Sequence, residues 1–141
     1  MRQSPLLEFE STAFPVTPGE DEETNPGIFG KSLANWLRDA LCARGLAAGD
    51  VFAEDFGWCV PIRAEGFRLY VACSSDRPFP AGPESVANAS QWLVFAFAEG
   101  GWLRRLFGRD RTEAELAAVF SCLRSALESN PAVSNLVERG D

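Results

Sequence analysis

The chain has 141 residues, of which 46% are hydrophobic and 23% charged, and this is the composition of one globular domain. Its net charge of −7 opposes binding to the phosphate backbone of nucleic acids and favours a partner protein with a basic surface. Because histidine is absent, Ser-His-Asp and Cys-His nucleophilic systems and His-ligated metal sites are excluded.

The first predicted strand covers residues 6–14, where apolar residues such as Leu7 and Phe9 alternate with acidic and hydroxyl-bearing ones. The next segment, residues 15–24, contains two prolines, a glycine and a run of four acids. These residue types favour turns and solvent, so the segment is predicted to be an acidic loop outside the core.

The first predicted helix covers about residues 27–44. Asn25 is expected to cap its N-terminus, and Pro26 would occupy the first helical position, where a missing N–H costs nothing. Gly45 is expected to form the left-handed C-cap. Apolar residues at steps of three and four form one stripe along this helix: Phe29, Leu33, Trp36, Leu37, Ala40 and Leu41.

Three short strands are predicted next, at residues 51–53, 58–64 and 67–73. A two-residue hairpin loop, Glu65-Gly66, joins the last two of them. That loop pairs Cys59 with Ala72, so Cys59 and Cys73 point to opposite faces of the sheet. A disulfide between these two cysteines is therefore excluded by geometry.

Residues 77–90 contain three prolines and a glycine and are predicted to be a loop. Residues 91–98 (QWLVFAFA) are apolar on both faces of a predicted strand. This pattern favours a central strand that is covered on both sides, or a strand that forms a subunit contact. The Gly100-Gly101 pair would end it.

A capping box formed by Thr112 and Glu115 predicts the start of a second helix. The Asn130-Pro131 pair repeats the cap-then-proline pattern and predicts a short terminal helix to about residue 138. The apolar residues of the second helix again recur at helical spacing: Leu116, Val119, Phe120, Leu123 and Leu127.

The order of these elements is β-α-β-β-β-α. We predict an α+β fold, with a mostly antiparallel sheet of four to five strands and two long helices packed on one face. The chain is expected to form one domain over residues 1–141, including the acidic loop at 15–24 and a short terminal helix and tail at 131–141.

The four cysteines lie in apolar segments and show neither a C-x-x-C pair nor metal-ligand spacing. No apolar run approaches the ~20 residues of a transmembrane helix, and residues 1–7 lack the apolar stretch of a secretory signal. We therefore predict a cytoplasmic protein without a metal or a cofactor, in which all four thiols are reduced: Cys42, Cys59, Cys73 and Cys122.

The segment Glu54-Asp55-Phe56-Gly57-Trp58 is the best candidate for a functional site, because it places two acids at the start of a strand. These carboxylates could bind a cationic group, an Arg-bearing partner or a metal; alternatively, they could bond to the backbone amides of the turn. Adjacent side chains on an extended backbone point to opposite sides. A glycosidase-type pair would therefore need a further acid, such as Asp76 or Glu99.

Two further motifs suggest ligands but are better explained by structure, a possible phosphate-binding loop and a basic cluster, whereas Trp102 beside that cluster is a candidate binding residue. The Gly30-Lys31-Ser32 triplet resembles the end of a phosphate-binding loop, yet Asn25 stands where that motif has its first glycine. Trp102 lies between two glycines and two arginines and is predicted to be an exposed recognition aromatic. The neighbouring basic cluster could bind single-stranded nucleic acid, but the overall acidity favours a solvated turn: Arg104, Arg105, Arg109 and Arg111.

The strings NPGIFGKSLANWL, EDFGWCV and QWLVFAF resemble a group of small uncharacterised bacterial proteins over about residues 25–128. That group is similar in its Asn-Pro-Gly helix start and its Glu-Asp-aromatic-Gly-Trp turn. The resemblance implies a shared fold and carries no activity and no catalytic residue.

Two functions remain open at this point. The first is a non-catalytic protein-protein interaction module of the immunity- or inhibitor-like kind, with another protein as its partner and a homodimer as a further alternative. The second is a small-ligand-binding protein or a carboxylate-based enzyme with its site near Glu54 and Asp55. A deep cavity lined by Asp55, Trp58 and Tyr70 would favour the second.

Overall fold

A computed structural model describes residues 2–64, 67–75, 91–100 and 109–140. They form one antiparallel sheet and two α-helices, which confirms the α+β class. The elements in chain order are β1 (Arg2–Gln3), β2 (Leu6–Glu10), a 3-10 helix (Glu20–Glu22), α1 (Lys31–Ala43), β3 (Phe52–Glu54), β4 (Gly57–Ile62), β5 (Phe67–Ser75), β6 (Gln91–Gly100), α2 (Arg109–Glu128) and β7 (Ser134–Arg139).

The sheet has more strands than the four to five predicted from the sequence. Six strands of the described residues follow one another in the order β3-β4-β5-β6-β2-β7, and the short β1 also pairs with β6. All of these pairings are antiparallel. The predicted central position of residues 91–98 is confirmed, because β6 lies between β5 and β2. The two helices cover only one of its faces, so the predicted cover on both sides is not seen in the described residues.

The register between β4 and β5 is the predicted one. Cys59 pairs with Ala72, and Trp58 pairs with Cys73. Cys73 consequently joins the main core, whereas Cys59 lies in a separate cluster on the other face of the sheet. All four cysteines are free thiols in this structure.

The main core lies between one face of the sheet, here called the inner face, and the two helices. The α1 residues Leu33, Leu37 and Leu41 have no solvent exposure, and they pack with residues of α2 and of the inner face. This confirms that both helices cover a single face. The strands contribute these core residues: Leu7, Phe9, Val60, Leu69, Val71, Trp92 and Val94.

The start of α1 differs from the prediction. The helix begins at Lys31, because Gly27 and Gly30 have φ angles of +85° and +151°, which interrupt helical backbone. The cap is supplied by Glu20, whose Oε2 accepts hydrogen bonds of 3.1 Å from the backbone N–H groups of Gly30 and Lys31. Asn25 does not cap the helix. Its side chain donates instead to the backbone carbonyl of Asp55.

The acidic loop is consequently part of the fold. Residues 15–24 contain the 3-10 helix, and Glu20 within it is 7% exposed. Thr24 is also buried, and its hydroxyl donates to the carbonyl of Ile28 at 2.7 Å. The prediction of a loop outside the core was wrong here, because a carboxylate that bonds to a helix N-terminus can be buried.

The end of α1 follows the prediction. Gly45 has a φ angle of +92°, and its N–H donates to the carbonyl of Cys42 at 3.0 Å. The N–H of Leu46 donates to the carbonyl of Leu41 at 3.1 Å. These two bonds are those of a Schellman motif, which satisfies the last carbonyls of the helix.

The C-terminal part corrects two predictions. The second helix begins at Arg109, so Thr112 is a buried residue inside it and not its N-cap. The predicted terminal helix is the strand β7, which pairs with the edge of β2. Asn130 does accept hydrogen bonds from the next residues, at Ala132 and Val133, but they close a turn that leads into the strand.

Some predicted features lie outside the described residues: the Glu65-Gly66 loop, the loop at 77–90, the end of the strand at Gly101, and Trp102 with the side chains of the basic cluster. Among the described helices, none is long and apolar enough to cross a membrane.

Candidate functional site: the open face of the sheet

The second face of the sheet, which points away from the helices, is here called the open face. In the described part of the chain its apolar side chains pack mainly on one another. Five of them form what we call the aromatic layer: Phe52, Phe56, Tyr70, Phe95 and Phe97.

Phe97 is the centre of the aromatic layer. Its ring centroid lies 5.2 Å from Tyr70, 5.9 Å from Phe56 and 5.9 Å from Phe95. The ring of Phe52 extends the layer through Tyr70, with 5.7 Å between the centroids. These separations and the tilted or edge-to-face geometries are those at which aromatic pairs attract one another.

The layer forms because the strands beneath it carry small residues. Cys59 and Ala72 face each other across β4 and β5 and have almost no solvent exposure. They belong to the same cluster as Phe97, with Phe52, Tyr70 and Phe95 packed against them. Larger residues at these two positions would displace the rings.

The open face also exposes apolar surface at two separate places. Phe56 is 46% exposed and Val137 is 43% exposed, and these are the two exposed large hydrophobic residues of the described chain. Phe56 belongs to the aromatic layer, and Val137 pairs with Glu8, which carries the open face into β7. These two residues lie at opposite edges of the sheet, and only Phe56 continues into a cluster of further apolar side chains.

Two carboxylates near the aromatic layer make the electrostatic potential at the buried Cys59 negative. Burial, followed by the negative charges of Glu54 and Glu99, raises the pKa of the Cys59 thiol to about 12. Cys59 is therefore protonated at neutral pH and is not a nucleophile. The two exposed carboxylates, from β3 and β6, thus act on the same buried position.

The arginines of the open face stand beside acids. Arg139 forms an ion pair with Glu8, with 2.9 Å between Nε and Oε2. Arg68 stands directly opposite Glu99 in the pairing of β5 with β6. Within the described residues Glu54 has no ion-pair partner, so its charge is available to another molecule.

The predicted site residues do not come together as one site. Glu54, Asp55 and Phe56 are all exposed at the β3–β4 turn, where the carbonyl of Asp55 accepts a 2.8 Å hydrogen bond from the Asn25 side chain. Trp58 instead lies on the inner face and is 3% exposed. The binding role of Glu54 and Asp55 stays a prediction, and Trp102 lies outside the described residues.

Trp58 is held by the start of α1. The Nζ atom of Lys31 lies 5.1 Å from the centroid of the Trp58 ring, a cation–π contact. Lys31 is exposed, and its charge contacts this ring. Trp58 therefore belongs to the packing of the helix on the sheet.

A shallow groove lies at the other end of the open face, where β2 meets β7. Its volume is about 190 Å³, below the roughly 300–1,000 Å³ of typical small-molecule sites. In the described residues no group of three or more Cys, Asp or Glu side chains could hold a metal ion. The residues that line the groove are Glu8, Phe9, Glu10, Gln91, Asn135, Val137 and Arg139.

One signal in the sequence pointed to the aromatic layer. The segment QWLVFAFA is apolar on both faces, and Phe95 and Phe97 are its residues on the open face. The contributions of Phe52, Phe56 and Tyr70 were missed, because their contacts with β6 residues depend on the order and register of strands that are far apart in the sequence.

Comparisons with known proteins give one partial likeness. A region of 95 aligned residues is 32% identical to anthranilate synthase component 1 of Bacillus caldotenax. It covers 57% of this chain and 19% of that protein, so the chain spans about a fifth of the length of this relative. No protein-family model matches the chain. No solved structure matches it either.

Proposed function

We propose that this chain is a non-catalytic protein-protein interaction module, of the immunity- or inhibitor-like kind, and that it binds its partner with the open face of the sheet. The observation that carries the proposal is the aromatic layer, with Phe56 exposed on it; Val137 is exposed on β7, at the opposite edge of the same face. Aromatic residues are enriched in protein interfaces because they bury large areas at a low entropic cost.

The distribution of polar groups supports the same function. The middle of the open face is apolar around Cys59 and Ala72, whereas its charged residues, Glu54, Glu99 and Arg139, stand further out. An apolar centre with a polar rim is the usual anatomy of a specific interface. Four free thiols are compatible with a reducing compartment, and a cytoplasmic location is part of this proposal.

The alternative, a ligand site or a carboxylate-based enzyme near Glu54 and Asp55, predicts one cavity lined by Asp55, Trp58 and Tyr70. In the structure Trp58 belongs to the inner face and Tyr70 to the open face. These two side chains are on opposite sides of the sheet, so they cannot line one cavity. The placement of these two side chains on opposite faces therefore favours the interaction module over a ligand site or an enzyme.

The test is affinity capture from the producing cells, followed by purification of the captured protein and titration calorimetry with the isolated pair. The double variant Phe56→Ser/Val137→Ser should weaken binding by about tenfold or more, because interface aromatics often contribute over 1.4 kcal/mol. Both side chains are exposed, so the variant should keep the melting temperature within a few degrees.

The control is Ala118→Ser, an apolar-to-serine change at an exposed position of α2. It should leave the affinity unchanged. Equal affinity of the double variant and the wild-type protein would overturn the proposal, and so would an equal loss in the control.

A further inference from the structure

We propose that the partner presents a basic surface to the open face, with Arg or Lys side chains around an apolar patch, and that one of these cations binds Glu54 beside the exposed ring of Phe56. This inference rests on the proposed function. It adds the chemistry of the partner and the position at which its charge is bound.

The first argument is charge. The open face carries the acids Glu8, Glu10, Glu54 and Glu99 against the arginines Arg68 and Arg139. Glu8 is neutralised by its ion pair with Arg139, and Glu10 contacts the side chain of Asn135. Glu54 remains without an ion pair in the described residues, and Asp55 beside it adds a second exposed acid.

The second argument is that the charges of two exposed carboxylates act on the position beneath the aromatic layer. Glu54 and Glu99 both raise the pKa of the buried Cys59 thiol, which lies under the aromatic layer. A cation placed over the layer would therefore be attracted chiefly by Glu54, because Glu99 has Arg68 directly opposite it. A like charge there would be repelled, which would discourage acidic partners.

The third argument is the ring of Phe56, which directly follows the two acids and is 46% exposed. A guanidinium group binds well where a carboxylate and an aromatic face are both available, because it pairs with one and stacks on the other. Glu54, Asp55 and Phe56 offer both partners at one exposed turn.

These charges disfavour a second copy of the chain as the occupant. Two open faces brought together would place acids of both copies in one interface, between chains of net charge −7. Like charges in an interface oppose association. A basic protein surface has the complementary sign.

The test uses two synthetic peptides of alternating residues, acetyl-(Leu-Arg)4-amide and its counterpart with citrulline in place of arginine. Citrulline keeps the shape of arginine and removes its charge. Binding is followed by two-dimensional NMR of the full chain. The arginine peptide should shift resonances of β3–β6 on the open face and bind about tenfold or more tightly than the citrulline peptide.

A matched pair of variants separates a specific contact from general attraction to an acidic protein. Glu54→Gln and Glu115→Gln remove the same charge, the first on the open face and the second at an exposed position of α2. Glu54→Gln should lower the affinity for the arginine peptide about fivefold or more, whereas Glu115→Gln should lower it less than twofold.

Equal effects of the two variants, equal affinity of the two peptides, or shifts mapped to the helices would each overturn this inference. So would the absence of detectable binding of the arginine peptide. The proposed function would survive those results if the captured partner still lost affinity for Phe56→Ser/Val137→Ser. Sedimentation of the free chain as a dimer that Phe56→Ser dissolves would instead identify a second copy as the occupant and contradict the inference.

Discussion

The carboxylate of Glu20 holds the first turn of α1 at Gly30, with 3.1 Å between Oε2 and the backbone nitrogen. The same oxygen accepts from Lys31, and the other carboxylate oxygen accepts a 3.0 Å bond from the backbone of Thr17. One side chain therefore joins the acidic loop to the helix that covers the sheet. A negative group at a helix N-terminus is also stabilised by the helix dipole.

Glu20→Gln should lower the free energy of unfolding by about 1–3 kcal/mol, because it removes the charge from a buried, charge-assisted cap. Urea denaturation measures this loss. The control is Glu23→Gln, an exposed acid of the same run, which should change stability by less than about 0.5 kcal/mol. Equal effects of the two substitutions would show that Glu20 does not cap the helix.

Leu37→Ala should destabilise the protein by about 2–5 kcal/mol, because Leu37 is fully buried between α1 and the inner face. Asp39→Ala, on the exposed side of the same helix, removes only a surface ion pair with Arg38 and should cost about 0–1 kcal/mol. Thermal and urea unfolding check both values. A cost below about 1 kcal/mol for Leu37→Ala would contradict the packing of α1 on the sheet.

Gly57→Ala should be more costly than Gly45→Ala, although both glycines have positive φ angles, +154° and +92°. A Cβ at Gly57 would lie 2.5 Å from the carbonyl oxygen of Cys73, whereas a Cβ at Gly45 meets nothing within 4 Å. We expect about 1–2 kcal/mol for Gly45→Ala from backbone strain alone, and about 3 kcal/mol or more for Gly57→Ala. Comparison of their unfolding free energies decides this prediction.

The buried thiols should make the protein sensitive to alkali. The pKa of Cys59 is raised from 9.0 to about 12, so the unfolded chain loses this proton at a lower pH than the folded one. The protonated Cys59 thiol therefore contributes its full share to the free energy of unfolding below about pH 9. That share falls between pH 9 and 12, by about 1.4 kcal/mol per pH unit. Burial likewise raises the pKa of the Cys73 thiol.

Cys59→Ala should remove one such thiol and flatten the decline of unfolding free energy above pH 9. The measurement is urea denaturation of both proteins at several pH values between 7 and 10.5. The difference in slope reports the loss of Cys59 together with its effect on Cys73, whose pKa is raised by burial and, to a lesser extent, by Cys59. Parallel curves would show that Cys59 titrates normally in the folded state.

A thiol reagent should distinguish the four cysteines of the native protein. The exposed Cys42 should react first and the half-buried Cys122 more slowly, while Cys59 and Cys73 stay protected until unfolding. Denaturation without reductant should bring the total to four. A total of two would reveal a disulfide and would reverse the prediction of a reducing compartment.

Several elements could be predicted because their signals are local. The stripe that contains Leu33, Leu37 and Leu41 identified the buried side of α1, and Gly45 identified its end. The loop expected at Glu65-Gly66 and the alternation of the strands predicted the pairing of Cys59 with Ala72, and the structure has that pairing. A shift of one residue would expose every buried side chain of these strands, so the apolar pattern determines the register.

The candidate site was predicted only in part. The acids Glu54 and Asp55 are exposed at the turn where the sequence placed them, but the aromatic layer beside them unites residues that are far apart in the chain. Phe56 meets Phe97 because β5 lies between β4 and β6 in one sheet. No local spacing carries that information.

By itself, the sequence determined the α+β class, the buried stripe of α1 and the pairing of Cys59 with Ala72, because apolar periodicity and turn residues act over a few positions. Only the tertiary structure decided where α1 begins and that a strand, not a helix, comes after α2. Glu20 caps the helix from 11 residues away, and the chain after Pro131 becomes a strand because β2 offers it an unpaired edge. Backbone groups take the partners that the fold brings near them, and these lie beyond the reach of local patterns.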